Sequence, residues 1–452
     1  MSLDQRWWET ASMLNFWSPK QTGRTLKSIN ALVDDMVDWG FTAILMGVPY
    51  HGGLQYGGLD PIDYFAVEPA LGTMDDLNEM IAACHDRGVA VIAAVNLGYA
   101  ALEFPAFLRA CDDVKAGVDS DESRWFVWSE DNFTGLDRSH VPYFMSDIMG
   151  HWEFSERAGK YYWVKWSGEH GDAEMPQFDF AEPSWQEECR KIVRFWMEVG
   201  FDGMMIDAAN EYNNSSWDIN NSTITDVVHE FPNTFVLPEG AGKRNDPAEW
   251  IKSGHYDSVI DYATGTHRPH EQIVRRAIED GNPGGIEYNL RWYRDRVVKA
   301  GGVTWAGPRL MRDPTHSPDK KLLEAAVLAT MGELFLVNDS IYYPSTPSVL
   351  VSGIKELLAA RRDYPALCAV GPRRRLPTFN DKLYYAFLRS TPSGDQEMMA
   401  VFSFQRDYRV LQVYIDTPAD LIDISTKERK HVDRILQLTL PPFGYKIYEV
   451  KR

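Results

Sequence analysis

Eight short apolar runs, separated by stretches with helical spacing, recur along most of this chain. Residues 11–16, 41–48, 89–95, 204–207, 234–239, 258–262, 302–308 and 334–338 read as strands. Their near-continuous apolarity is what a strand buried on both faces requires. Helical patterns lie between them. One runs through Ile29, Leu32, Val33 and Met36 and is closed by Gly40; a second covers 74–87 and is closed by Gly88. A third, 185–199, carries Ile192, Phe195, Trp196 and Val199 at helical spacing and ends at Gly200, a residue that takes a left-handed cap without penalty. Strands alternating with helices predict a parallel sheet, and eight such units predict a (β/α)8 TIM barrel.

The alternation breaks twice. Residues 100–183 contain aromatic clusters (Trp125-Phe126-Val127-Trp128; Tyr161-Tyr162-Trp163-Val164-Lys165-Trp166), scattered acids and few helical signals. A loop of that length without structure of its own is improbable, so the stretch is expected to be an inserted domain after strand three. From about Gly371 the period becomes two, at 383–388, 398–404, 410–415, 435–440 and 445–450, which predicts a C-terminal antiparallel β-sandwich. The expected division is 1–99 and 184–370 for the barrel, 100–183 for the insertion and 371–452 for the sandwich.

Composition narrows the function. The 452 residues are 44% hydrophobic and 13% aromatic, as in an ordered globular protein, and carry a formal charge of -19. That charge argues against nucleic acid and against an anionic membrane surface as partners, and suits a neutral ligand. Fifteen tryptophans and 21 tyrosines supply rings on which sugars could stack, although most of them are expected in the core. Cys84, Cys111, Cys189 and Cys368 are widely spaced and form no metal-ligand pattern. No apolar run of about 18 residues is present, and the first 20 residues lack a signal-like apolar core, so a cytoplasmic, reduced protein is expected. Oligomeric state is not readable.

In a barrel of this kind the active site lies at the C-terminal ends of the strands. Asp207 ends strand four, Glu239 ends strand five and Asp313 follows strand seven. Taken singly, each could be a helix cap or a loop ligand. Taken together, they fit glycoside hydrolysis, in which one carboxylate attacks or stabilises an oxocarbenium-like centre and another protonates the departing oxygen.

The sequence also resembles glycoside hydrolase family 13, the α-amylase family. The run 57–77, including Asp60-Pro61-Ile62-Asp63-Tyr64 and Leu71-Gly72-Thr73, is similar to that family's second βα loop. Gly200-Phe201-Asp202-Gly203 through Asp207-Ala208-Ala209 resembles its strand-four motif, and Tyr364-Pro365-Ala366-Leu367 and Leu440-Pro441-Pro442-Phe443-Gly444-Tyr445 resemble the barrel end and the sandwich. The resemblance implies Asp207 as nucleophile, Glu239 as general acid/base and Asp313 as transition-state stabiliser. It places Asp60 and Tyr64 around the sugar being cleaved, with Tyr64 stacked on the ring, and an acid at position 60 implies short oligosaccharides. Met175-Pro176-Gln177-Phe178-Asp179-Phe180 loosely resembles a motif of the oligosaccharide α-glucosidase-like branch.

There are departures. The family's arginine two residues before the nucleophile is Met205 here. The strand-three motif reads Ala93-Ala94-Val95-Asn96-Leu97-Gly98-Tyr99, which puts Tyr99 where the family has a histidine and makes Tyr99, with Arg312, a candidate substrate-binding residue. Asn210-Glu211 replaces a lysine-histidine pair, and Arg312 replaces the histidine before the third acid. Arg312 is a candidate to stand in for the lost guanidinium. Gly98 occupies the position of the family's calcium-binding asparagine, so no metal or other cofactor is expected. The reading is a retaining α-glycosidase or transglycosidase acting on short α-linked oligosaccharides. The alternative is a catalytically silent relative that binds glycans or partners through the same cleft.

Overall fold

A computed structural model of the chain describes residues 6–17, 19–53, 58–132, 150–165, 175–209, 217–239, 246–260, 273–308, 311 and 313–452. At its centre lie eight strands: β1 (Ser12–Phe16), β2 (Ala43–Met46), β3 (Ala90–Val95), β4 (Gly203–Ile206), β5 (Phe235–Pro238), β6 (Ser258–Ile260), β7 (Val303–Ala306) and β8 (Leu334–Asn338). All ladder pairs are parallel and the spatial order is 5-4-3-2-1-8-7-6, the order of a barrel. The expected eight strands are present, each within two residues of its sequence-derived bounds where those bounds are described.

The two ends of the ladder, β5 and β6, meet through Asp257. Its N–H donates to the Val236 carbonyl at 3.1 Å, and its carboxylate accepts from the Val236 N–H at 2.9 Å. A side chain thus stands in for a strand acceptor and closes the barrel. Asp202 does the same on the β3–β4 seam, donating to the Val91 carbonyl at 2.8 Å and accepting from the Val91 N–H at 2.7 Å. A histidine backs each acid: His85 Nε2 lies 2.8 Å from Asp202 and His229 Nε2 lies 3.0 Å from Asp257. These bonds hold both histidine pKa values above their usual range.

Alternation along the strands separates two apolar sets. Met13, Leu45, Ile92, Ala94, Met205, Leu237, Ile260, Trp305 and Leu336 fill the barrel, and Trp7 and Trp8 plug its lower end against Phe235. Leu14, Ile44, Val91, Met204, Ile206, Val236 and Phe335 face the helices. The helix Pro183–Val199 buries Trp185, Cys189, Ile192, Val193, Trp196 and Met197, and ends at Gly200 with φ 118°, the left-handed cap expected of it.

Two segments differ from expectation. The stretch that resembles the second βα loop is not simply a loop: Tyr50–Gly52 and Pro61–Val67 pair antiparallel over the barrel mouth. The insertion contains a sheet (Trp128–Ser129, Gly150–Ser155, Lys160–Lys165 and Met175–Pro176) and, against its few helical signals, a full helix, Pro105–Ala116. That helix buries only Ala106, Phe107, Ala110 and Cys111. Arg109, Asp112, Asp113 and Lys115 stand between or beside these positions and weaken the apolar period.

The C-terminal strands are β9 (Arg373–Leu376), β10 (Tyr384–Ser390), β11 (Glu397–Ser403), β12 (Arg409–Tyr414), β13 (Ala419–Asp423), β14 (Arg429–Val432), β15 (Ile435–Leu440) and β16 (Tyr445–Lys451). A sheet of order 9-10-11-16-13-14 packs on the two-stranded sheet β12–β15 around Leu376, Tyr384, Met399, Leu411, Val413 and Leu436. Buried arginines join sandwich and barrel. Arg389 donates to the carbonyls of Met331, Ala366 and Cys368, and Arg294 to those of Gly332 and Ala369.

Candidate active site

Asp207 and Glu239 each directly follow the last residue of their strand, β4 and β5, which are neighbours in the barrel. The turn after β4 brings them together. Ala208 takes φ 47°, a left-handed conformation that costs a non-glycine residue about 1 kcal/mol or more. In that conformation its N–H donates to Glu239 Oε2 at 3.0 Å, while the Ala209 N–H donates to the Glu239 carbonyl at 2.9 Å. The Glu239 N–H donates in turn to the Ile206 carbonyl at 2.7 Å. The strained turn therefore orients the Glu239 carboxyl toward Asp207.

Asp207 is 4% exposed. Burial, then repulsion from Glu239 and a hydrogen bond between the two carboxyls, push its pKa well above the usual carboxylate range, and a hydrogen bond from Tyr99 opposes them. Two acids this close cannot both ionise cheaply, so the pair keeps one proton between them and titrates as a unit.

Around the pair lies a buried polar network. The Tyr99 hydroxyl donates to Asp207 Oδ2 at 3.3 Å. Asn96, fully buried just after β3, donates through Nδ2 to the carbonyls of Leu59 (2.7 Å) and Tyr99 (3.2 Å), and its Oδ1 accepts from the Gly98 N–H at 2.9 Å. Its backbone carbonyl accepts from the Tyr64 hydroxyl at 2.8 Å and its N–H donates to the Tyr50 hydroxyl at 3.1 Å. Burial raises the Tyr50 pKa, and the charges of Asp207 and Asp60 raise it further, which places that hydroxyl within electrostatic reach of both acids. Asp60 is fully buried on the hairpin. A Cβ on Gly53 would lie 2.1 Å from Asp60 Oδ2, so the glycine is what makes room for this carboxylate. Lys20 ties the hairpin down, with its ammonium 2.9 Å from both the Gly52 carbonyl and Glu68.

Asp207, Glu239, Asp60, Tyr64 and Tyr99 thus share one mouth of the barrel. Tyr64 is only 2% exposed; its ring packs edge-on against Tyr50 and Phe104 and is tilted toward Trp185, so it lies beneath the site and offers no open face. Asp313 lies seven residues beyond the end of β7. It accepts from the Thr315 hydroxyl (2.6 Å) and N–H (2.9 Å) and pairs with Arg275 at 3.3 Å and His316 at 3.1 Å. The Thr315 bonds bring its pKa down to about 2, so it is ionised at any working pH. Arg312 lies outside the described residues. Met205 is 1% exposed inside the apolar barrel, so strand four brings no guanidinium to the acids. Asn96, Tyr50 and the Ala208 turn were not singled out from sequence. A polar residue directly after an all-apolar strand was the available signal for Asn96.

Residues 18–248, half of the chain, match the family described as Alpha amylase, catalytic domain. The chain belongs to the α-amylase family. An alpha-glucosidase of Candida albicans is 23% identical over 263 residues, 54% of this chain and 42% of that protein. Trehalose synthase/amylase TreS of Mycobacterium tuberculosis (strain CDC 1551 / Oshkosh) is 26% identical over 183 residues, 40% of this chain and 29% of that protein. The chain therefore spans less than half the length of these curated relatives. The trehalose-6-phosphate hydrolase TreA of Bacillus licheniformis superimposes with a TM-score of 0.75, covering 99% of this chain and 100% of that one at 14% identity, which speaks for the fold. Among the described residues no helix is long and apolar enough to cross a membrane, and no group of three His, Cys, Asp or Glu is gathered that could hold a metal ion.

Proposed function

We propose that the chain is a retaining α-glycosidase acting on short α-linked oligosaccharides, by hydrolysis or by transfer to a second sugar. The supporting observation is the placement of buried Asp207 and of Glu239 side by side at the ends of adjacent strands, with the Ala208 N–H holding Glu239 Oε2 at 3.0 Å. Retaining glycosidases keep their carboxyls about 5 Å apart, whereas inverting ones separate them by roughly 6.5–9.5 Å to admit a water. Asp207 and Glu239 directly follow the paired residues Ile206 and Pro238 of strands about 4.8 Å apart, which suits the closer arrangement. The pair's single proton also matches what the reaction needs, one ionised and one protonated acid. Asp207 Oδ attacks the anomeric carbon as the glycosidic C–O bond breaks, and Glu239 passes its proton to the departing oxygen. Glu239 then takes a proton from water or from an acceptor hydroxyl, whose oxygen displaces Asp207 from the anomeric carbon.

Asp60, beside this centre, is suited to bond sugar hydroxyls. Short substrates are in keeping with the names of the α-glucosidase relatives. Tyr64 would act from below, holding Asn96 in place. Asp313, permanently ionised, would be the third acid of the family. Incubation with a 5-fluoro α-glucosyl fluoride and peptide mass mapping tests the reading. A label on Asp207 is expected; no label, together with no turnover of any α-glucoside, would favour the silent, glycan-binding alternative that Met205 brings to mind.

A further inference from the structure

The two acids are chemically similar, yet the reaction requires them in opposite states. The turn after β4 works against that order: the Ala208 N–H donates to Glu239 Oε2 at 3.0 Å and so favours negative charge on Glu239, the member that should carry the proton. The opposing bond comes from Tyr99, whose hydroxyl lies 3.3 Å from Asp207 Oδ2 and favours charge on Asp207. A hydrogen bond of this length in an unliganded site is one that can tighten when substrate closes it.

Tyr99 is held from several directions. Its ring is 2% exposed, and its carbonyl accepts from Asn96 Nδ2. Its backbone forms a bridge with Gln177, while the flanking Ala100 N–H donates to the Pro176 carbonyl at 3.0 Å and the Gly98 carbonyl accepts from the Phe178 N–H at 2.9 Å. The strand-three loop is thus clamped by the last strand of the inserted domain. A buried tyrosine needs a hydrogen-bond partner for its own sake. Here its own loop, through Asn96, and residues 176–178 converge to aim this one at the reacting carboxylate.

We propose that Tyr99 is a positioning residue that fixes the Asp207 rotamer and assigns the shared proton to Glu239. This rests on the glycosidase reading given above. It makes the inserted domain, through residues 176–178, part of what sets the charge state of the acids.

The test is Tyr99→Phe, with 3-fluorotyrosine at position 99 as a stronger donor of nearly the same shape. The acidic limb of kcat/KM on an aryl α-glucoside should move up by about one pH unit in Tyr99→Phe, the size of one hydrogen bond to a charged group. It should move down in the fluorotyrosine protein. The loss in Tyr99→Phe should be about tenfold at the acidic end and shrink toward alkaline pH, with kcat affected more than KM. In parallel, carboxyl infrared titration of the unliganded protein, with Asp207→Asn to identify the band, reads the same change without substrate. An unmoved band and limb, or a loss uniform across pH, would overturn the proposal and leave Tyr99 as packing. A shifted band in a protein that turns over no α-glucoside would uphold Tyr99's hold on Asp207 while counting against the glycosidase reading. If Tyr99→Phe does not fold, the fluorotyrosine protein alone decides.

Discussion

Asp207→Asn should make this protein more stable while abolishing turnover. The change is nearly isosteric. The amide oxygen can still accept from Tyr99, and the amide nitrogen can donate to Glu239, so both neighbouring bonds have a replacement. What is lost is a negative charge in a buried site beside a second acid. Two unit charges about 4 Å apart repel by about 4 kcal/mol at an effective dielectric of 20. The shared proton relieves part of this, at the cost of holding one carboxyl protonated above its usual range. A net gain of about 1–3 kcal/mol at pH 7 is the reasonable expectation, in line with the cost of an ill-satisfied buried polar group.

The pH dependence carries the diagnostic sign. The folded pKa of Asp207 is raised, so the folded state holds a proton that the unfolded chain gives up at about pH 4. The penalty is therefore absent below pH 4, grows as pH rises through the folded value, and is complete above it. The advantage of Asp207→Asn should be least at about pH 4 and grow as pH rises from there. At about 2.1 cal/mol/K per residue, a chain of 452 residues shifts its melting point by only about 1 °C per kcal/mol, so denaturant midpoints at several pH values are the better assay. Destabilisation by Asp207→Asn at neutral pH would refute the reasoning. It would mean that a cation neutralises Asp207, and Arg312 would be the first candidate.

Asp313→Asn should lower kcat by about 100-fold or more if this acid stabilises the transition state, whereas a change within a few-fold in steady-state assays would make it only the ligand of Thr315 and Arg275. Because its pKa is about 2, any stability it contributes is present above about pH 4 and fades as pH falls toward 2, so its titration should leave no limb in a rate profile at neutral pH. Ala208→Val places a β-branched residue at φ 47° and should cost about 2 kcal/mol in denaturant unfolding, with a larger proportional loss of activity because Glu239 is released. Arg361→Met removes donors to Ser12 Oγ and to the carbonyls of Ala11, Ala329, Glu333 and Leu367. At about 1–3 kcal/mol per buried acceptor left unmet, this should consume a large part of a 5–15 kcal/mol total, and thermal scans should show it. His85→Gln should lower stability by at most about 1 kcal/mol, given its partial exposure, at pH 6 and by less at pH 9, since a raised histidine pKa contributes below about 6.5 and is lost as pH climbs through the folded value.

The barrel could be read from the sequence because every strand is apolar on both faces. Met13 and Leu14, or Met204 and Met205, differ in which side they bury but not in hydrophobicity, so the whole run stands out. The strands that escaped detection obey other rules. β14 reads Arg429-Lys430-His431-Val432 and buries only the last residue; its pairing with β13 supplies the structure that its composition does not signal. The helix 105–116 escaped for a related reason, since its buried stripe is narrow and interleaved with charge. Closure of the barrel was not readable either. It depends on Asp257 offering a side-chain oxygen where β5 needs a strand acceptor, and an aspartate two residues before a valine carries no mark of that duty.

The site divides in the same way. Asp207 and Glu239 could be picked out because each follows an apolar strand, where only a functional or capping role explains a carboxylate. The bond that holds Glu239 beside Asp207 comes from the Ala208 N–H at φ 47°, and alanine gives no hint of it. The role of Tyr99 is harder still to read, because its aim is set by contacts distant in sequence: Asn96 holds its carbonyl, and residues 176–178 hold the loop on either side. Sequence comparison alone makes Met205 look like the loss of a catalytic device. The geometry places a hydroxyl on the same carboxylate from a different strand. A hydroxyl stabilises charge less than a guanidinium does but leaves the shared proton more mobile. An enzyme built this way would trade a permanently ionised nucleophile for one whose charge depends on pH and on substrate closing the site, and the direction in which Tyr99→Phe moves the acidic limb measures that trade.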